Sequence, residues 1–312
     1  MSKKITRRSF IKKSTTVTAS AMVGLTLTGD SSPVLGDKKV DISVVKGGNY
    51  FDNTIKAIEQ LGGMEKFVPE NAKVAILANP QRNNPGAFTN PDVVRAAIHM
   101  CKKAGAKEVT CISLLPEKNW ENTGLLDVVK KEKATLKIIV QKNESLFKSI
   151  RIPKGKALKD AQIMKEFFNY DVFITIPITK DHAGNKFTGT LKNMMGLNSQ
   201  QNNRTFHKPG WKTDVNSIRH LDQSIADLNT VVKPDLCIVD ATEFITTNGP
   251  FGPGKLLKPQ KVVAGVDRVA IDAYCCTLWG LEGKDVIMIK EAHKQGLGEI
   301  DLTKVKIKEI SI

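Results

Sequence analysis

The sequence is short of the patterns that announce most cofactor and metal chemistry. Its five cysteines, Cys101, Cys111, Cys237, Cys275 and Cys276, contain no C-x-x-C pair, which removes support for iron–sulfur clusters and zinc fingers. No H-x-x-x-H or H-E-x-x-H occurs, so a helix-borne zinc site has no signature. Neither G-x-G-x-x-G nor a complete G-x-x-x-x-G-K-[ST] loop is present, and NAD or ATP use has no motif behind it. Aromatic residues make up only 6% of the chain and do not interleave with arginine, which argues against a nucleic-acid surface. The vicinal Cys275-Cys276 pair lies in an apolar helical stretch and reads as two buried thiols rather than part of a disulfide framework.

What the chain has instead is positive charge, a formal net +15. Six basic residues crowd the start, including Arg7-Arg8 in TRRSFIKK, ahead of a mildly apolar run from Ser14 to Gly29. That run is shorter than the ~20 apolar residues that span a bilayer and is rich in Thr and Ser, so it reads as an export signal rather than an anchor. No lipobox cysteine and no clean A-x-A site follow, and cleavage is expected between Thr28 and Asp37. The arginine pair with Phe10, Ile11 and Lys12 resembles the twin-arginine signal. That resemblance implies a twin-arginine translocase as partner, a passenger exported already folded, and a bacterial periplasmic location. Residues 1–36 are assigned to this signal and 37–312 to the mature protein, with no stable transmembrane segment expected in it. The remaining basic excess is mostly solvated surface and is consistent with a small anionic ligand.

Strands and helices alternate along the mature chain. Asp52 to Leu61 reads as a helix stopped by Gly62-Gly63, and Lys73 to Ala78 as a short buried strand. The Asn/Pro/Gly-rich loop Asn79 to Asn90 leads into a well-marked helix, with Asn90 as cap, Pro91 at its first position and Gly105 past its end. Glu108 to Leu115 is the next strand, which completes a right-handed βαβ unit. Leu125 to Lys133 reads as helix, Leu136 to Val140 as strand and Leu158 to Asn169 as an amphipathic helix. Ser199 to Thr213, which holds His207 and Trp211, has no periodicity. Val215, Ile218, Leu221, Ile225, Leu228 and Val232 recur at helical spacing. Strands Leu236 to Val239 and Lys261 to Val266, a helix begun by Asp267, a helix over 284–294 and a strand Val305 to Ile310 complete the chain. The fold expected is α/β, Rossmann-like, with a largely parallel sheet built from βαβ units. It forms one large or two small domains, the halves being 37–169 and 170–312.

The stretch from Tyr170 to Gly196 organises the rest. Val172 to Ile178 is an apolar, β-branched strand, and the polar loop after it carries Lys180, Asp181, His182, Gly184 and Lys186. Thr188-Gly189-Thr190 then runs into Leu191-Lys192-Asn193, where a hydroxyl can cap a short helix. In open α/β sheets, ligands sit at the carboxyl ends of strands and against helix N-termini. Two lysines, a histidine and free helix amides there suit an anionic ligand. The residues singled out as catalytic are His182, Lys192 and Asp240, the last at another strand end. Lys180, Thr188, Gly189, Lys192 and Asn193 are the candidates for cofactor binding, and His182 for moving a proton or holding a metal, while His207 beside Lys208-Pro209-Gly210 reads either way. Lys186 reads as a plain loop lysine, Asp267 as a helix cap, Asp272 as structural, and His220 and His293 as surface residues.

ITKDHAGNKFTGTLKNMMG, LDQSIADLNTVVKPDLCIVD, Asn248-Gly249-Pro250 and AGVDRVAIDAY together resemble the family called domain of unknown function 362. The resemblance implies a fold and a site location, and no reaction. Cluster cysteines carried by some of its members are missing here, as is a lysine usual after the first strand, where Ala78 runs into Asn79-Pro80. His182, Thr188, Gly189 and Lys192 are also spaced much as in the lactate racemase family, which holds a nickel-pincer nucleotide. That likeness implies a covalent cofactor link at Lys192, nickel at His207, a general-base role for His182 and hydride abstraction from a 2-hydroxy acid. The family's earlier histidine has no counterpart, since none lies between His99 and His182. Two functional classes follow: a cofactor- or metal-dependent enzyme acting on a small anion, or an exported protein that only captures a carboxylate or phosphate. A member whose site has decayed is the third.

Overall fold

The computed structural model describes residues 40–312, so the export segment lies outside the described residues. In chain order the strands are β1 (Ile42–Lys46), β2 (Lys73–Ala78), β3 (Glu108–Ser113), β4 (Thr135–Ile138), β5 (Phe147–Arg151) and β6 (Asp160–Met164). They continue with β7 (Val172–Ile176), β8 (Leu236–Ala241), β9 (Phe244–Ile245), β10 (Leu256–Leu257), β11 (Lys261–Gly265) and β12 (Ile307–Ser311). Eight of them form one sheet in the order β12-β1-β11-β8-β7-β2-β3-β4. From β8 to β4 all neighbours are parallel. At the other edge β11 runs antiparallel to both β8 and β1, and β12 is parallel to β1. The two halves 37–169 and 170–312 share this sheet, because β1 lies against β11 and β2 against β7.

The helices are α1 (Tyr50–Gln60), α2 (Pro91–Lys103), α3 (Glu117–Asn122), α4 (Leu125–Lys131) and α5 (Thr190–Asn193). After them come α6 (Gln200–Phe206), α7 (Val215–Asn229), α8 (Arg268–Thr277) and α9 (Ile287–Lys294). Strand periodicity sorts the core into two layers. Val74 and Ile76 of β2, with Ile174 and Ile176 of β7, join Val94, Ile98 and Val129 of the helices on one face. Ala75, Leu77 and Phe173 point the other way, into Leu191, Leu221, Ile225 and Ile271. Burial on both faces is what makes β2, β7 and β8 continuous apolar runs.

Local signals explain the best-defined elements. The Asn90 side chain accepts from Asp92 N at 2.9 Å with Pro91 at the first helical position, and Asp267 caps α8 by accepting from Val269 N and Ala270 N. Three expectations are corrected. Leu158 to Asn169 is not an amphipathic helix: Ala161 and Ile163 alternate inward along β6, which pairs with β5, and a 3-10 turn follows at Lys165–Asn169. The polar stretch from Ser199 does hold a helix, α6, capped by the Ser199 hydroxyl accepting from Asn202 N at 3.2 Å. Finally, α5 has no hydroxyl cap; its N-terminal partner comes from another helix, as described below. The five cysteines are free and buried, the expected state for Cys275-Cys276. Among the described residues no helix is long and apolar enough to cross a membrane.

Candidate functional site

Parallel strands β2, β3 and β7 all release their chains at the same end of the sheet, and a cavity of about 330 Å³ lies there. Asn79, Pro80 and Gln81 follow β2, and Leu114 and Leu115 follow β3. The loop after β7 contributes His182 and Thr188, α5 contributes Lys192 and Asn193, and the segment around α6 contributes Asn203, His207 and Trp211. Pro250 and Phe251 close one side. This is where the strand-end rule for open α/β sheets puts a ligand.

The loop after β7 is held by its own ends. Lys180 N donates to Thr188 O at 3.2 Å, and Thr188 N to Lys180 O at 2.8 Å. Gly184 sits at φ +78°, and a Cβ there would lie 2.3 Å from the Trp211 carbonyl, so the loop docks on Trp211 through a position only glycine fills. His182 is buried, with Nδ1 2.7 Å from Ala183 O. That carbonyl can only accept, so Nδ1 carries the proton and Nε2 is the basic nitrogen. His207 repeats the arrangement, Nδ1 lying 3.0 Å from Asn203 O. Burial, and then the nearby Lys192, hold His182 well below the ordinary imidazole pKa and lower His207 as well, so both rings stay neutral. The Trp211 indole packs against both rings, at centroid distances of 5.3 Å to His182 and 5.0 Å to His207.

Among the described residues, Lys192 is the only lysine lining this cavity. Its nearest acceptor among them is the Met195 thioether at 3.9 Å, and none of their carboxylates lies within ion-pair distance. Burial lowers its pKa, opposed by the buried Asp222 of α7, whose own carboxyl is raised by burial. Asp222 is held by a short hydrogen bond donated by Asn185 Nδ2. Two further polar atoms on the lining have no partner among the described residues: Thr188 Oγ1 and Asn203 Oδ1. Asn193 spends its amide on Leu77 O at 3.0 Å and Thr175 Oγ1 at 2.9 Å, which ties α5 to β2 and β7.

The structure therefore brings together His182, Thr188, Lys192, Asn193 and His207, and leaves three candidates out. Lys180 is fully buried, and its Nζ donates to Ala87 O at 2.6 Å and Gln81 Oε1 at 3.3 Å. Burial, then repulsion from Lys192, lowers it to about 7. Asp240 does not line the cavity. It accepts from Asn90 N at 2.7 Å and from Thr242 N and Oγ1 at 2.9 and 2.7 Å, so both oxygens serve to hold α2 and the turn after β8. Gly189 is a packing position, where a Cβ would meet Asp272 Oδ1 at 2.4 Å. The free helix amides expected at α5 are taken as well: Asp272 Oδ1 accepts from Thr190 N at 2.7 Å and Oδ2 from Leu191 N at 2.9 Å. An anion in the cavity must rely on side chains. Lys186 is exposed, as expected of a plain loop lysine.

Among the described residues no group of three or more His, Cys, Asp and Glu side chains converges as metal ligands. The cavity offers two imidazole nitrogens and a thioether, with neither carboxylate nor thiolate among the described residues of its lining. A metal held there needs donors brought by a bound group. Lys192, His207 and the orphaned Thr188 hydroxyl are the side chains free to meet such a group.

Sequence comparison finds a thylakoid-associated protein of Synechocystis sp., 26% identical over 268 residues, covering 82% of this chain and 79% of that protein. The lactate racemase apoprotein from Thermoanaerobacterium thermosaccharolyticum matches 84% of this chain and 58% of its own length, at 14% identity and a TM-score of 0.46. A structural-genomics crystal structure of a Thermotoga maritima protein matches 62% of this chain and 51% of its own length, at 14% identity and a TM-score of 0.41. The chain thus spans little more than half the length of these two structures. The family model described as domain of unknown function (DUF362) matches residues 73–277, and the chain belongs to that family.

Proposed function

We propose that the protein is an enzyme that binds a small organic anion, a carboxylate or a phosphate compound, in the strand-end cavity, with His182 as general base. One observation carries this reading: a neutral His182 with a free Nε2 and an unpaired Lys192 amine line the same cavity. An entering anion favours the protonated form of Lys192, and the ammonium neutralises the anion's charge. Thr188 Oγ1 and Asn203 Oδ1 are hydrogen-bonding groups with no other duty among the described residues. Keeping such groups unpaired in an interior costs stability, which favours a ligand as their partner. His182 Nε2 accepts a proton from the bound molecule and returns it.

Calorimetric titration with a panel of carboxylates and phosphate esters tests the reading. Lys192→Ala should weaken binding at least tenfold, while His182→Ala should leave binding and abolish turnover. Binding that survives Lys192→Ala overturns it. Binding without turnover of any bound compound supports the other class, an anion-capturing protein. We also propose export to a bacterial periplasm through the twin-arginine translocase, on the strength of Arg7-Arg8 and the segment that follows. Substituting both arginines by lysine should retain the chain in the cytoplasm, and unchanged fractionation refutes it.

A second reading is favoured by Lys192 and His207 lining one cavity. Lys192 would carry a covalently linked nickel-pincer nucleotide, with His207 Nε2 as a nickel ligand. When bound, that group supplies hydride-acceptor chemistry; His182 contributes only its proton-accepting nitrogen. Protein taken from its own host should then contain about one nickel per chain and a modified Lys192 peptide. An unmodified, metal-free chain from that source removes this reading and leaves the anion cavity standing.

A further inference from the structure

A lysine forms imines when its amine is unprotonated, reachable, and close to a group that can carry protons to and from the carbonyl oxygen. Lys192 meets the last two conditions by position, and its burial eases the first. Its Nζ has no acceptor among the described residues nearer than the Met195 sulfur at 3.9 Å, and it lines a cavity whose walls include Leu77, Leu114, Leu115 and Phe251. The charged and titratable groups around it come from three directions. From the loop after β7 come Lys180, whose burial disfavours its charge, and the neutral His182; from the end of α6 comes the neutral His207; from α7 comes Asp222, tethered by Asn185. Burial disfavours a charge on Lys192 while Asp222 favours it, and the balance leaves the amine easier to deprotonate than that of an exposed lysine.

We propose that Lys192 is a covalent nucleophile toward a small aldehyde or ketone that also carries a carboxylate or phosphate. This rests on the anion-cavity reading above and adds a reaction to it. The Lys192 lone pair attacks the carbonyl carbon, the C–N bond forms, and the carbonyl π pair moves to oxygen. His182 Nε2 takes the proton leaving nitrogen and delivers it to that oxygen, giving a carbinolamine. A second proton, taken up from solvent and passed on by His182, lets the hydroxyl depart as water while the nitrogen lone pair forms the C=N bond. The product is a protonated imine on Lys192, with one solvent proton consumed and no change in oxidation state. The positive charge kept on the imine nitrogen stays beside the substrate's anionic group.

The test uses the full chain, pyruvate as probe and sodium cyanoborohydride to trap the imine, followed by peptide mapping. The expected result is a carboxyethyl group, the reduced pyruvate imine, on the peptide containing Lys192. It should form at lower pH and at least tenfold faster than on exposed lysines such as Lys159. Lys192→Arg, which keeps the cation and removes the nucleophile, should lose the adduct and retain pyruvate binding by calorimetry. If only exposed lysines are labelled while pyruvate still binds, the nucleophile is refuted and the anion cavity survives. If Lys192 is unlabelled and no carboxylate or phosphate of the panel binds, both fall. The wild-type map decides the question without the variant, so a Lys192→Arg chain that fails to fold does not blur the outcome.

Discussion

Two sets of buried polar groups divide the interior of this protein. At Asp227 of α7, at Asp272 of α8 and at Asp240 of β8, the carboxylates are saturated. Asp227 Oδ2 accepts from three successive backbone amides, Lys156, Ala157 and Leu158, at 2.8, 2.6 and 2.9 Å, while Oδ1 accepts from Gln223 and Gln295. Asp272 holds the start of α5, and Asp240 the start of α2. At the strand-end cavity the pattern inverts. Among the described residues, two imidazoles keep a nitrogen free, Lys192 has only a thioether, and Thr188 Oγ1 and Asn203 Oδ1 have no partner. Unpaired buried atoms occur elsewhere among the described residues too, but only on this wall do two of them, Thr188 Oγ1 and Asn203 Oδ1, face a cavity together with an amine and two imidazole nitrogens, which marks where a ligand completes the set. The saturated acids hold the frame; the unsatisfied bases wait for something to bind.

The comparison breaks most visibly if an acid is removed. Asp227→Ala leaves one buried and two half-buried N–H groups unpaired, together with the amides of Gln223 and Gln295, so urea denaturation should record a loss of about 5 kcal/mol. A loss below about 1 kcal/mol would mean that the amides find other partners. Lys180 supplies the next largest effect, through pH. Burial, then Lys192, lowers it to about 7, against ~10.4 for a lysine in the unfolded chain. Between those values the unfolded chain binds the extra proton, so stability rises with pH across that window and the gain is absent below it. The rise should approach roughly 4 kcal/mol between pH 7 and 10, and Lys180→Met should flatten it. Equal slopes in both proteins would show that Lys180 keeps its proton when folded.

How much of this could be read from sequence follows the same divide between local and distant partners. β2, α2 and β3 are legible because an apolar run, an Asn-Pro start and a glycine stop all act within a few residues. β6 is not: Leu158, Ala161, Met164 and Phe168 fit a helical stripe as well as Ala161 and Ile163 fit alternation, and the choice is made by pairing with β5. His182, Thr188, Lys192 and Asn193 are found because a strand followed by polar residues and a short helix points to the sheet's carboxyl end, and His207 only because its distance from Lys192 resembles a lactate racemase spacing. Asp240 shares that strand-end address, yet what its oxygens meet is Asn90, far away in sequence. Asp222 could have been noticed, since it sits beside Leu221 on the buried side of α7. Trp211 and Phe251 reach the cavity through loops, and Asn203 through the polar helix α6, none of which carries an apolar periodicity.

The smallest effect is the sharpest test, because stability and binding should move in opposite directions. Thr188 is buried and its hydroxyl has no partner among the described residues, so Thr188→Val swaps an unsatisfied oxygen for a methyl group of the same shape. Its backbone bonds to Lys180 are untouched, and the loop after β7 keeps its closure. Releasing an unpaired buried hydroxyl should stabilise the chain by about 1 kcal/mol, against the usual destabilising direction of core substitutions. Binding of any anion identified by calorimetry should weaken by about tenfold, the loss of one hydrogen bond to a charged ligand. A variant that is both less stable and binds unchanged would mean that the Thr188 hydroxyl serves the fold after all, and the division between saturated frame and open cavity would not hold at this residue. A gain in stability joined to a loss of affinity is the signature of a group kept for a ligand at the expense of the fold.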